Sequence, residues 1–183
     1  MTAKKIFKVI GICIAAIIGL ILLFFAVIYC SIEWTRHSKK KEAIRYQKEV
    51  CDTMKSVQGN FPIKVNGFTK KELKKINFYL KRDNQIIRDT TVNFEPKDNY
   101  EIQEINMPFE EFNIKDIIIV VIKNRTYLLS GYTYNAFFNY GMFGPVGPCN
   151  CGTGGYENIN GKPSGSGWLL KKEGLKNYQL PPK

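Results

Sequence analysis

A chain of 183 residues with a net charge of +11, five cysteines and a single histidine holds material for one folded domain once a long apolar run near its start is set aside. The lone histidine, His37, lies just beyond that run, which excludes the usual Ser-His or Cys-His nucleophile pairs elsewhere in the chain. Residues 1–58 carry ten bases and four acids, and residues 83–116 carry nine acids against three bases; no continuous basic face results, and no nucleic-acid partner is expected.

After a basic flank at residues 1–8, the first element is Val9 to Cys30, VIGICIAAIIGLILLFFAVIYC, 22 residues without a charge. Roughly 20 apolar residues suffice to carry a helix across a bilayer, so residues 9–30 are predicted as an uncleaved transmembrane helix. The run exceeds the apolar region of a secretory signal peptide, and no small-x-small cleavage site follows it. A lipid-modified Cys30 is the lesser alternative, because bulky Tyr29 stands where a lipoprotein signal carries a small residue. The flanks, with Lys4, Lys5 and Lys8 before and Arg36, Lys39, Lys40, Lys41 and Arg45 after, nearly balance and lean towards a cytoplasmic C-terminal side. Against that lean, a short basic head before a long apolar run is the layout of a signal-anchor, and the body is strand-rich and aromatic. The expectation is a single-pass protein of a bacterial inner membrane with its C-terminal domain outside the cytoplasm.

Residues 31–58 are predicted as a juxtamembrane amphipathic helix. Between Glu42 and Val57 the residues Ala43, Ile44, Tyr46, Val50, Cys51, Met54 and Val57 recur at spacings of three and four, which places them on one face. Gly59 and Pro62 mark the end. Trp34 falls at the membrane interface, where amphipathic rings sit. Arg36, Lys39, Lys40 and Lys41 form a cluster that attracts anionic lipid head groups, at about 1 kcal/mol per basic side chain.

Residues 59–176 are predicted as a β-rich domain. FPIKVNGF is a first strand, and TKKEL opens with a Thr69-x-x-Glu72 capping box. INFYLKRDNQIIRDT alternates Ile76, Phe78 and Leu80 with polar neighbours and turns at Asp83-Asn84, as a hairpin does. YEIQEINM follows, then Ile117 to Ile122, six apolar and mostly β-branched residues that suit a buried core strand. TYLLSGYTYNAFFNYG alternates again, with Tyr132, Tyr134, Ala136, Phe138 and Tyr140 on one side. The fold class expected is mainly β: a transmembrane helix continuing into a juxtamembrane helix, then a small antiparallel β-sheet or β-sandwich. Residues 177–183 read as a frayed tail.

Candidate chemistry concentrates in GMFGPVGPCNCGTGG, residues 141 to 155, read as part of a turn-rich loop over 141–167. It fails as a phosphate loop, since Gly155 and Gly161 enclose five residues and Lys162 precedes Pro163, and it lacks dinucleotide-site spacing. Three cysteines lie outside the apolar run, Cys51, Cys149 and Cys151. At most one bridge can form among them, with Cys51 to Cys149 or to Cys151 less strained than closure across one residue. Two thiolates without a second Cys or His pair fall short of a structural zinc site, and the one-residue spacing is not that of the usual redox pair. A disulfide or free loop thiols remain open, as does Cys51 as a buried small hydrophobe. The carboxylate pairs Glu110-Glu111 and Asp98 with Glu101 carry no cleft signal. Asn124-Arg125-Thr126 fits a glycosylation acceptor, which a bacterial chain does not use. No catalytic residue, metal or cofactor is expected, and the Asn160-Gly161 pair serves a turn.

FPIKVNGFTKKELKKINFYLKR followed by DIIIVVIKNRTYLLSGY resembles small envelope-anchored bacterial β-domain proteins of unknown function. In these, a G-F-T-x-x-E-L segment precedes a strand and a T-Y-x-L/I-S strand comes late. The resemblance covers about residues 61 to 135 and implies a membrane-tethered, exported β domain without a catalytic residue. The expected function is a non-enzymatic, membrane-anchored binding protein of the cell envelope with a protein partner, immunity- or inhibitor-like in one concrete form. The alternative is a thiol-redox or metal-binding protein using the Cys-x-Cys loop.

Overall fold

In a computed structural model the described residues are 3–59, 62–97, 101–142, 144–164 and 167–182. The side chains of the basic flank, Lys4, Lys5 and Lys8, lie outside them, as do Asn60 and Phe61, Asp98 of the expected carboxylate pair, Phe143, Gly165, Ser166 and Lys183. The chain divides into two units, residues 1–46 with 136–150, and residues 47–135 with 151–183. Its architecture is the expected one, an N-terminal apolar helix followed by mainly antiparallel β-sheet.

Helix α1 (Ala3–Glu49) is continuous over 47 residues, so the apolar run passes into the juxtamembrane segment without a break. Its apolar part is exposed among the described residues: Ile17, Leu20, Leu23 and Phe24 are 57 to 69 % exposed. The helix is long and apolar enough to cross a membrane. It stops short of the expected Val57. A single 3-10 turn at Cys51–Thr53 follows, and then β1 (Ser56–Gln58) takes Val57 into a pairing with Phe112. Helical spacing alone gave Val57 to the helix; burial to 2 % beside Phe112 outweighs one further turn of solvated helix.

The second unit is built on the alternation seen in the sequence. After β2 (Pro62–Asn66) and the short helix α2 (Lys70–Leu73), β3 (Lys75–Arg82) and β4 (Gln85–Asn93) form the expected hairpin, and β5 (Ile102–Asn106), β6 (Glu111–Asn113) and β7 (Ile117–Ile122) follow. Strands β8 (Arg125–Gly141) and β9 (Gly144–Ile159) make a long second hairpin, and β10 (Lys162–Pro163) and β11 (Trp168–Leu170) complete the set. One sheet has the order β10-β9-β8-β7-β3-β4, a second β11-β2-β5, and β1 pairs with β6. Antiparallel register sets Phe78 opposite Val120 and Val120 opposite Tyr127, with Leu80, Ile118 and Leu129 in the next row. Those six side chains are at most 1 % exposed and form the core. Opposite them, Ile63 pairs with Ile105 and Leu169 with Val65, all buried. The β11–β2 pair is parallel, the exception to an otherwise antiparallel fold. Tyr127 Oη donates to the Leu170 carbonyl at 2.9 Å, which ties the two sheets into a small sandwich.

Two further expectations change. Residues 144–159 of the supposed loop are the strand β9. Glycine is a turn signal in sequence, yet here it makes room between neighbouring strands: a Cβ on Gly154 would lie 2.7 Å from Asn135 Nδ2 and from Thr133 Oγ1. The C-terminal segment is also not free, since the Ile86 N–H donates to the Pro182 carbonyl and occupies the edge of β4. The Asn160-Gly161 turn is as expected, with both residues at positive φ, as a tight hairpin demands.

Candidate functional site

Three clusters carry the charged, aromatic and sulfur chemistry, and each lies within a single unit. In the first unit, residues 36, 39, 40 and 43 follow one another at helical spacing and so share a face of α1. The outer part of the β8–β9 hairpin lies along this face. Lys39 is held three ways: its Nζ donates to Glu42 Oε2 at 2.8 Å and to the Gly147 carbonyl at 3.3 Å, and sits 4.6 Å from the Phe138 ring centroid. Nearer the apolar run, a Cβ placed on Gly144 would lie 3.8 Å from Arg36 Cγ. Arg36, Lys39 and Lys40 thus line one side of a groove, and Phe137, Tyr140 and Met142 the other. Phe138, which also lines the groove, is buried, whereas Tyr140 and Met142 are 80 % and 92 % exposed.

Of the residues expected at the membrane interface, Arg36, Lys39 and Lys40 come together at this groove, and Trp34 and Lys41 do not. Seven residues apart, Trp34 and Lys41 lie on a common face of α1, rotated away from Arg36 by about half a turn. Trp34 is 81 % exposed. Tyr140 alternates in step with Tyr132 and Tyr134, but alternation gives the side of the strand, not whether anything covers it: Tyr132 and Tyr134 are buried and Tyr140 is exposed.

In the second unit, Cys51 and Cys151 form a disulfide, closing a loop of sequence separation 100. Of the two pairings left open by spacing, the fold takes this one. Cys149 is a buried free thiol and Cys30 an exposed one. Gln47 Nε2 bridges Asp52 Oδ1 at 2.6 Å and the Tyr134 carbonyl at 2.8 Å close by, and Tyr134 Oη donates to the Ser56 carbonyl and accepts from the Gln58 N–H. Among the described residues, no group of three or more His, Cys, Asp or Glu side chains could hold a metal ion.

The third cluster joins the two motifs quoted from the sequence. The capping box of α2 forms, with Glu72 Oε2 accepting from the Thr69 N–H at 2.9 Å. The same oxygen accepts from Lys171 Nζ at 2.8 Å. The hydrogen bond from Lys171 and then the backbone bond at Thr69 bring the Glu72 carboxyl down from 4.5 to about 2. Phe68 stacks edge-on against Tyr127, whose phenol burial pushes well above its ordinary range. Asp116, buried, is gripped in two places by Arg82, Nε to Oδ1 and Nη2 to Oδ2, both at 2.8 Å. These are satisfied pairs that brace turns.

No protein-family model, curated protein or solved structure matches this chain. Glu110 and Glu111 are exposed and His37 is exposed on α1. What the first cluster offers is a cationic and aromatic face next to an apolar helix, suited to binding an anionic group with apolar substituents.

Proposed function

We propose that this chain is a single-pass, membrane-anchored, non-enzymatic binding protein of a bacterial cell envelope. Its β domain lies outside the cytoplasm and engages a protein partner or an envelope component, immunity- or inhibitor-like in one form. The observation that carries the reading is the apolar half of α1, whose large side chains among the described residues are about half or more exposed. In water such a surface has a large unfavourable free energy, and a bilayer is the solvent that removes it. The Cys51–Cys151 disulfide supports export, because disulfides persist in oxidising compartments and are rare in the cytosol. It also weighs against the metal alternative, since it takes up Cys51 and Cys151, two of the three cysteines outside the apolar run.

Orientation is tested by labelling in intact cells. Cys149 is buried and unsuited to this, so the reporter is Lys162→Cys, exposed at the start of β10, in a chain whose exposed Cys30 is replaced by Ser. A membrane-impermeant maleimide is expected to label it without permeabilisation. Labelling only after the cells are opened would put the domain in the cytoplasm and sink the exported reading. Partner binding is tested by crosslinking in intact membranes: one recurrent partner is expected, and repeated failure to recover any removes the binding role.

A further inference from the structure

We infer that the tip of the β8–β9 hairpin is a second membrane contact, seated in the head-group layer and selective for anionic phospholipid. This rests on the reading of α1 as a membrane anchor and adds to it a site on the β-rich part of the chain. The first observation is direction. Phe138 and Gly147 meet α1 at Lys39, whereas Gly144, next to the turn, meets it at Arg36, nearer the apolar run. The hairpin therefore points back along the helix towards its apolar end. At 1.5 Å per residue, Arg36 Cα lies about 9 Å beyond Cys30, just outside a head-group layer that extends roughly 5 to 7 Å from the hydrocarbon on each side. Helical side chains lean towards the helix N-terminus, so Arg36 points back into that layer, and the hairpin turn that meets Arg36 lies at the layer's outer edge.

The second observation is chemistry. Tyr140 and Met142 hold their large side chains almost fully out of the fold, and Phe137 is 44 % exposed. Aromatic and flexible apolar side chains at such a depth are what an interfacial segment inserts among lipid chains. Across the groove, Arg36 and Lys40 are exposed cations on the same face of α1. Glu33 engages Arg36 at 2.9 Å, and Glu42 engages Lys39, which is committed to the hairpin. Lys40 completes the positive edge. An apolar tip rimmed by cations is complementary to a phosphate-bearing lipid and to its acyl chains together. A soluble protein partner would explain the apolar tip, but not its placement along the cationic helix face that adjoins a membrane-length apolar run.

The test uses the full chain in vesicles of phosphatidylethanolamine with phosphatidylglycerol, and in vesicles of phosphatidylcholine alone. The photoreactive residue benzoylphenylalanine is placed at Tyr140 or at Phe24 in the apolar helix, and adducts are identified by mass spectrometry. Lipid adducts are expected at both positions, with phosphatidylglycerol enriched at Tyr140. Arg36→Gln with Lys40→Gln is expected to lower that enrichment by up to roughly thirtyfold, the strength of two basic side chains near an anionic surface. Both are exposed, so the fold is retained; an unchanged adduct yield at Phe24 checks that the variant still inserts. Lipid adducts at Phe24 with none at Tyr140, or with only protein adducts there, overturn the inference and leave the anchor standing. Equal capture of both lipid types at Tyr140 overturns its anionic selectivity. Absence of lipid adducts at Phe24 removes the anchor, and this inference with it.

Discussion

Gly174 lies against the rigid ring of Tyr127: a Cβ there would come within 2.6 Å of the phenol oxygen and 2.8 Å of Arg125 Cβ. The ring cannot retreat, because it is fully buried and its hydroxyl is bonded to Leu170. Gly174→Ala is expected to lose about 1 to 3 kcal/mol in denaturant unfolding, as overpacked sites do. Nothing near Gly174 in the sequence announces this, since Tyr127 is far away along the chain. Glu72 was legible, because Thr69-x-x-Glu72 is a local motif; its partner Lys171 was not. With the folded carboxyl at about 2 against 4.5, Glu72 favours folding fully above pH 4.5, and that contribution is lost as the pH falls from 4.5 towards 2. Glu72→Gln is expected to flatten the acid limb of stability over that window. A wild-type limb that is already flat, in denaturation midpoints followed by circular dichroism, would show that the pairing with Lys171 does not matter to folding.

At the scale of elements, strands whose pattern is local were the ones the sequence revealed. β3 alternates and β7 is continuously apolar, and each is placed where that pattern requires, with Ile76, Phe78 and Leu80 inward and Ile118 to Val120 and Ile122 buried. Ile118→Ala is expected to lose about 2 to 5 kcal/mol, the cavity range for a fully buried aliphatic side chain. β9 carries five glycines and two prolines, which resemble turn punctuation, and what makes it a strand is the long partner β8. Val57 likewise fits the helical stripe and a strand equally well until Phe112 is opposite it. The disulfide ties two such poorly legible segments together, the end of α1 and β9. Its loop spans 100 residues, so a Cys51→Ser, Cys151→Ser double variant is expected to lose up to about 4.7 kcal/mol. Non-reducing peptide mapping should recover a Cys51–Cys151 crosslink in wild type and in Cys149→Ala; a crosslink to Cys149 would overturn the assignment.

For the whole molecule, the deciding property is the solvent of α1. Arginine near the centre of a membrane helix costs about 2.5 to 3.5 kcal/mol. Leu20→Arg with Phe24→Arg is therefore expected to move the protein from the carbonate-resistant membrane fraction into the extractable one, with a β domain still folded by circular dichroism. Retention of the double variant in the resistant fraction would mean that other surfaces hold the chain at the membrane. By itself the sequence determined that there is an apolar helix of membrane length and that mainly antiparallel β-structure follows it. Both are written in short-range order: 22 uncharged residues in a row, and side chains alternating every second position. Only the tertiary structure decided which cysteines pair, where α1 stops, that the glycine-rich run is a strand, and that Tyr140 and Met142 stand uncovered beside Arg36. Each of those depends on which residue from a distant part of the chain arrives opposite, and burial and backbone pairing across that distance are properties of the fold that no local spacing carries.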